Sequence, residues 1–183
     1  MKKTSGPLQP WAASDRPREE CGVVGVYSPG RDAGRVAFFG LFALQHRGQE
    51  SAGIAASDGS SIRIHTDMGL VTQVFREEEL RPLQGSMAIG HTRYSTTGSS
   101  QECNAQPFLV EGVHGQLALG HNGNVVNAAE LQTQLRDEWD CTFSSSTDSE
   151  VMAYLLVNAA GQTWEERAAY FMRNVQGAYS VVV

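Results

Sequence analysis

Lysine is nearly absent. The two in the chain are Lys2 and Lys3, so residues 21–183 carry ten arginines and no lysine. That removes Schiff-base lysine chemistry and the phosphate-gripping lysine of a P-loop from the body of the chain. Cysteine is scarce as well. Cys21, Cys103 and Cys141 are odd in number and show no CxxC spacing, which argues against a disulfide framework or a self-contained zinc site. Long apolar runs are missing: the longest stretch of apolar residues and glycine, 36–44, has nine residues, against the ~20 of a membrane helix. Positive charge is in deficit, with 14 Lys plus Arg against 20 Asp plus Glu, which speaks against a nucleic-acid-binding surface. The N-terminal segment has two lysines but no apolar stretch behind them, so it does not read as a signal peptide. A cytoplasmic location with neither membrane nor nucleic acid as partner is the expectation.

What is present suits one domain. The chain has 183 residues, 41% of them apolar, enough for a real core. Residues 1–20 hold three of the six prolines and read as a leader. The other end, Gly177–Val183, looks like a buried strand ending on three valines. An exposed edge of that kind invites aggregation, so the expectation is the front part of a longer chain.

The apolar periodicity predicts a strand over 21–27, a helix buried nearly all round over 36–45 that ends at Gly48, and a hairpin turning at Asp58–Gly59. Residues 85–96 alternate, with Met87, Ile89, His91 and Arg93 on one face. Residues 108–113 and 116–119 predict a second hairpin. Gly69-Leu-Val71 with Val74 and Phe75 reads as packing. Helix starts follow at Asn127, Thr147 and Thr163, the two threonines with a glutamate three residues on, as in a capping box. Those helices run to about residues 140, 158 and 174. Antiparallel sheets layered with helices, an α+β arrangement, fit this order better than alternating parallel βαβ units.

Four places could carry chemistry, each with a plainer alternative. Cys21 is either a small apolar strand residue or, if the leader is cut after Glu20, a thiol sharing a residue with a free α-amino group. That amine, with an unperturbed pKa of ~7.7–8.0, could take the thiol's proton at neutral pH. Arg93 shares a largely apolar face and must meet an anion; an internal carboxylate and a substrate carboxylate satisfy that equally. Asn122–Gly123 between apolar runs is a strong hairpin signal, yet an amide NH2 and a backbone N–H could also form an oxyanion hole. Asp148 either favours the start of a helix or grips an ammonium group. His91 and His121 read as packed or hydrogen-bonded residues rather than metal ligands. Spacing alone does not bring these residues together.

Motif order goes further. Cys21-Gly-Val-Val-Gly25, Leu44-Gln-His-Arg-Gly-Gln-Glu-Ser-Ala-Gly53, Gly69-Leu-Val71, Gly90-His-Thr-Arg-Tyr94, Asn104-Ala-Gln-Pro-Phe108, His121-Asn-Gly-Asn124 and Ser146-Thr-Asp-Ser-Glu150 resemble the glutaminase domain of the glutamine phosphoribosylpyrophosphate amidotransferases. These form the purine-biosynthesis branch of the N-terminal-nucleophile glutamine amidotransferases. The Leu-Gln-His-Arg-Gly-Gln and Asn-Ala-Gln-Pro-Phe segments look less like the glucosamine-6-phosphate synthase branch, which usually has Tyr-Arg-Gly-Tyr and Asn-Ala-His-Pro-His. The resemblance covers residues 21–183 and implies a four-layer αββα sandwich of the N-terminal-nucleophile hydrolase type, truncated at its C-terminal end.

Carried over by position, the resemblance makes Cys21 the nucleophile on the amide of L-glutamine, with Asn122 and Gly123 as the oxyanion hole. Arg93 matches the clamp on the α-carboxylate, Asp148 the holder of the α-ammonium, Arg47 a supporting residue near the nucleophile, and Thr96 a residue lining the pocket. Glu19-Glu20-Cys21 matches a propeptide junction, so residues 1–20 are expected to be cleaved off. The phosphoribosyltransferase domain is expected to be missing, and with it the site for phosphoribosylpyrophosphate and Mg2+. Any iron–sulfur cluster is expected only in that part, so this chain would carry no cofactor. A homo-oligomer is expected of the full-length protein. Two alternatives stand beside this reading: a glutaminase domain serving another acceptor, and an inactive, unprocessed domain acting as a folding or assembly surface.

Overall fold

The computed structural model describes residues 21–94 and 101–183. The leader and Thr96 lie outside the described residues. In chain order the elements are β1 (Gly22–Tyr27), α1 (Ala33–Ala43), β2 (Ser51–Ser57), β3 (Ile62–Met68), the single turns α2 (Val71–Val74) and α3 (Glu77–Leu80), and β4 (Met87–Arg93). There follow β5 (Phe108–Gly112), β6 (Gly115–Val125), α4 (Ala128–Trp139), α5 (Asp148–Val157), α6 (Trp164–Asn174) and β7 (Gly177–Val182).

The strands form two antiparallel sheets, ordered β1-β4-β2-β3 and β5-β6-β7. Helices α1 and α2 pack on the outer face of the first sheet, and α5 packs on β5 and β6 of the second with α4 and α6 beside it. Between the sheets Ala55, Ile89 and Ala118 form a buried cluster, joined by Ile62, Ile64, Leu109 and Val182. The result is an α+β sandwich with layers in the order αββα. Small residues let the layers close: a Cβ on Gly25 would stand 2.8 Å from Val182.

Each helix has a reason to sit where it does. Asp32 caps α1 by accepting the Arg35 N–H. Ala33, Ala37 and Leu41, one turn apart, are wholly buried with Ile54, Val71 and Leu83. Burial of Leu41 alone contributes about 2 kcal/mol. The helix is not buried all round as its composition predicts: Val36, Phe39 and Phe42 are exposed on the opposite face. It also ends at Ala43, and a separate helical turn, Gln45–Arg47, intervenes before Gly48. On the other side Leu131, Leu135, Val151, Met152, Leu155 and Phe171 close a core beneath β5 and β6.

Two local expectations change. Thr163 and Glu166 form the full capping box, whereas at α5 Thr147 caps the Glu150 N–H but Glu150 does not reach back to it. The buried Glu150 carboxylate instead accepts from the N–H and hydroxyl of both Ser144 and Ser145. The second correction matters more. Asn122–Gly123 makes no hairpin, because β6 runs unbroken through it to Val125 and pairs Asn122 with Ser180 and Gly123 with Tyr179 of β7. Strand β7 supplies a tertiary partner that the local Asn-Gly signal does not reveal.

Candidate active site

One cavity of about 730 Å³ opens where the two sheets end together. Cys21, Arg93, Asn122, Gly123 and Asp148 all line it, with Tyr94, Asn104, Gln106, His121, Ser146 and Tyr179 among their neighbours. Residues 127 positions apart in sequence thus share one wall-to-wall space.

Cys21 leads into β1, which pairs with β4 from Gly22↔Thr92 onward. Its thiol donates to the Tyr94 carbonyl at 3.6 Å, and its own carbonyl accepts from Arg47 Nε at 3.3 Å. Arg47 therefore grips the backbone of Cys21 from the Gln45–Arg47 turn. Burial pushes the thiol's pKa up, against the opposing pull of the Arg93 charge. A thiol in that state is protonated at neutral pH and needs a base before it can act as a nucleophile.

Arg93 ends β4. Alternation places Ile89 in the layer between the sheets, His91 next along the same face and Arg93 at the cavity. Its Nη1 donates to Glu50 Oε1 at 2.6 Å, with both side chains largely buried. The register makes this pair, because Ser51 opposes Arg93 and the Glu50 N–H donates to the Arg93 carbonyl. Both anions considered for Arg93 are therefore compatible: Glu50 occupies part of the guanidinium fork while the residue still lines the cavity. Glu50 lies in a motif quoted above, but nothing in local sequence pairs it with a residue 43 positions on.

Strand β6 provides the opposite wall. Strand β5 pairs with it only as far as Phe108↔Leu119, so among the described residues one edge of β6 beyond Leu119 has no strand beside it. Because Val126 N–H donates to Gln176 on the β7 side, alternation turns the N–H groups of His121, Gly123 and Val125 toward the open edge. Gln106 Oε1 accepts the first at 2.8 Å, and Asp148 Oδ2 accepts the third at 2.9 Å. Between them the Gly123 N–H is turned to the same edge, and Asn122 and Gly123 both line the cavity. Such a pair can stabilise an oxyanion. Gly123 has φ +145°, and a Cβ there would stand 2.3 Å from the Ala178 carbonyl oxygen, so only glycine fits.

Asp148 opens α5. One carboxylate oxygen holds the Val125 N–H, and the other lies 3.6 Å from His121 Nδ1. His121 Nδ1 also meets the Ser149 hydroxyl at 2.9 Å. Burial lowers the His121 pKa, with Asp148 opposing. His91 is wholly buried and its pKa falls to about 4, chiefly through burial, with the His121 and Arg93 charges adding to it. Its Nε2 donates to the His121 carbonyl at 2.9 Å, so both histidines are hydrogen-bonded within the fold as their sequence context predicts. Glu50, Gln106 and His121 belong to the site although residue-by-residue reading assigns them no part in it. No helix among the described residues is long and apolar enough to cross a membrane.

Residues 79–182 match the family model for the glutamine amidotransferase domain. An amidophosphoribosyltransferase of Synechococcus elongatus is 52% identical over 171 residues, a span that is 92% of this chain and 34% of the relative. The glutamine phosphoribosylpyrophosphate amidotransferase of B. subtilis, solved with ADP and GMP, superposes with a TM-score of 0.75 at 39% identity, covering 87% of this chain and 34% of that one. A structure described as the allosteric regulatory enzyme of purine biosynthesis gives 0.78 at 40% identity with the same coverage. The chain thus spans about a third of the length of these relatives. Family match, fold and the shared cavity agree, and the chain belongs to the glutamine amidotransferase domain family.

Proposed function

We propose that this domain hydrolyses the side-chain amide of L-glutamine through a thioester on Cys21. The observation that carries the reading is the convergence of a thiol, a guanidinium, a carboxylate and an amide–N–H pair on one cavity. Glutamine fits their charges: its α-carboxylate meets the fork of Arg93 and its α-ammonium meets Asp148, which leaves the γ-amide between Cys21 and β6. The thiol's hydrogen bond runs to the Tyr94 carbonyl, which cannot take a proton. Removal of residues 1–20 would free the α-amino group of Cys21, and that amine is the base in this scheme. The thiolate adds to the amide carbon while Asn122 and Gly123 hold the oxygen that becomes negative. Collapse expels the nitrogen as ammonia with the proton returned by the α-ammonium of Cys21. Water, activated by the same amine, then cleaves the thioester to glutamate and the free thiol.

In a protein of the relatives' length, the ammonia would go to phosphoribosylpyrophosphate to make phosphoribosylamine, the amidophosphoribosyltransferase reaction of purine biosynthesis. Phosphoribosylpyrophosphate, Mg2+ and any iron–sulfur cluster would meet such a protein outside this domain, and every step above uses only residues of this chain. The high identity to the amidophosphoribosyltransferases supports that branch over other acceptors, and we place the protein in the cytoplasm, where a reduced thiol persists.

Intact mass before and after a diazo-ketone analogue of glutamine tests the proposal. A chain starting at Cys21, carrying one adduct that excess glutamine blocks, is the expected result. Cys21→Ser should take no label and release no glutamate. Glutamine turnover by that variant would overturn the assignment.

A further inference from the structure

We infer that His91 and Gln106 are positioning residues that set the oxyanion pair of β6. The inference rests on the thioester reading above. Both polar groups of the His121 backbone are held by buried side chains from elsewhere in the fold. Its N–H donates to Gln106 Oε1 at 2.8 Å, and its carbonyl accepts from His91 Nε2 at 2.9 Å. The second bond fixes the peptide plane that His121 shares with Asn122, one residue before Gly123. In an ordinary sheet a neighbouring strand would make both bonds. Here β5 stops pairing at Leu119, so an amide from the loop before β5 and an imidazole from the other sheet stand in for it.

The device is assembled at one point. His91 opposes Gly53 in the register of β2 and β4. A Cβ on Gly53 would stand 2.2 Å from the Gln106 carbonyl oxygen, so the bare glycine lets the Gln106 backbone settle against β2 beside His91. A carbonyl only accepts, so His91 carries its proton on Nε2, and Nδ1 lies buried without a partner among the described residues. Burial keeps the ring neutral well below physiological pH, and the bond therefore does not come and go across the working range. His91 does not line the cavity, and the Gln106 amide oxygen there is taken by the His121 N–H, so the substrate's α-carboxylate and α-ammonium fall to Arg93 and Asp148. Loss of His91 or Gln106 should therefore raise the barrier to chemistry and leave glutamine binding nearly unchanged.

The test is steady-state glutamine hydrolysis by the processed protein, with folding followed by circular dichroism. His91→Leu should lower kcat by about 10- to 100-fold, in the range a small misplacement produces, with KM for glutamine within about twofold. His91→Gln, whose amide nitrogen can reach the same carbonyl, should recover most of the loss. Gln106→Leu should repeat the kcat effect, and in each variant diazo-ketone labelling of Cys21 should remain saturable by glutamine with the wild-type midpoint. Unchanged kcat in folded His91→Leu and Gln106→Leu would overturn the inference, as would a rise in KM equal to the fall in kcat. If His91→Leu fails to fold, His91→Gln decides: kcat within about threefold of wild type supports the inference, and a loss as large as that of Gln106→Leu overturns it. Absence of Cys21-dependent hydrolysis in the wild type would instead sink the thioester reading on which the inference stands.

Discussion

Replacement of Arg93 by alanine separates a substrate clamp from a structural ion pair. Arg93 Nη1 lies 2.6 Å from Glu50 Oε1, with side-chain exposures of 7% and 14%. Removal of the guanidinium leaves the Glu50 carboxylate buried without its partner, which costs about 3 kcal/mol of stability for a pair this enclosed. If the same guanidinium also holds the glutamine α-carboxylate, a charge-assisted contact of about 1.5–3 kcal/mol is lost too, and KM rises by about 10- to 150-fold. The two effects separate in a second variant. Glu50→Gln added to Arg93→Ala removes the stranded charge and should return most of the stability in urea unfolding, while KM stays high. Glutamate release against glutamine concentration supplies KM for wild type, both single variants and the double variant. Recovery of KM together with stability in the double variant would refute the clamp and leave Arg93 as a structural partner of Glu50.

Gly123→Ala should abolish detectable glutamine hydrolysis, at least 100-fold below wild type, and lower stability by about 2 kcal/mol or more. Its Cβ would collide with the Ala178 carbonyl at a backbone angle that alanine avoids; a variant with normal rate and urea midpoint would contradict the β6–β7 geometry. His91 predicts an acid-side loss of stability. Its folded pKa of about 4 lies below the ~6.5 of an unfolded histidine, so from pH 6.5 downward the unfolded chain takes up a proton that the folded chain refuses. The contribution is fully present above pH 6.5 and is lost progressively down to about pH 4, for about 3 kcal/mol in all. Urea titrations at pH 4.5 and 7 span about 2 kcal/mol of that loss and should show that much less pH dependence in His91→Gln than in wild type; equal pH dependence would show that the ring is not buried neutral.

Much of the architecture is legible in short stretches of sequence, because local physics decides it. The Asp58–Gly59 turn, the alternating face through Ile89, His91 and Arg93, and the Thr163–Glu166 cap each depend on neighbours within a few residues. The helix over 36–45 is harder to read. Its apolar residues lie all round, and only docking on the first sheet shows that Ala37 and Leu41 are the inner face while Phe39 and Phe42 face out. Ordered motifs also brought out the family and, through the resemblance, roles for Cys21, Arg93, Asn122, Gly123 and Asp148 around one glutamine, whereas local spacing left each a separate candidate with a plainer reading beside it.

Tertiary pairing decided the rest. Asn122–Gly123 is a hairpin signal until β7 lies against it and keeps the strand extended. Arg93 finds Glu50 through the register of β2 and β4, and His91 finds the His121 carbonyl because the two sheets stack face to face. None of these contacts lies within one turn or hairpin, so no local propensity encodes them. The amino-acid sequence by itself determined which chemical groups the domain carries and which local elements bear them. The packing of two sheets, one ending where the other does, decided that those groups share a single cavity.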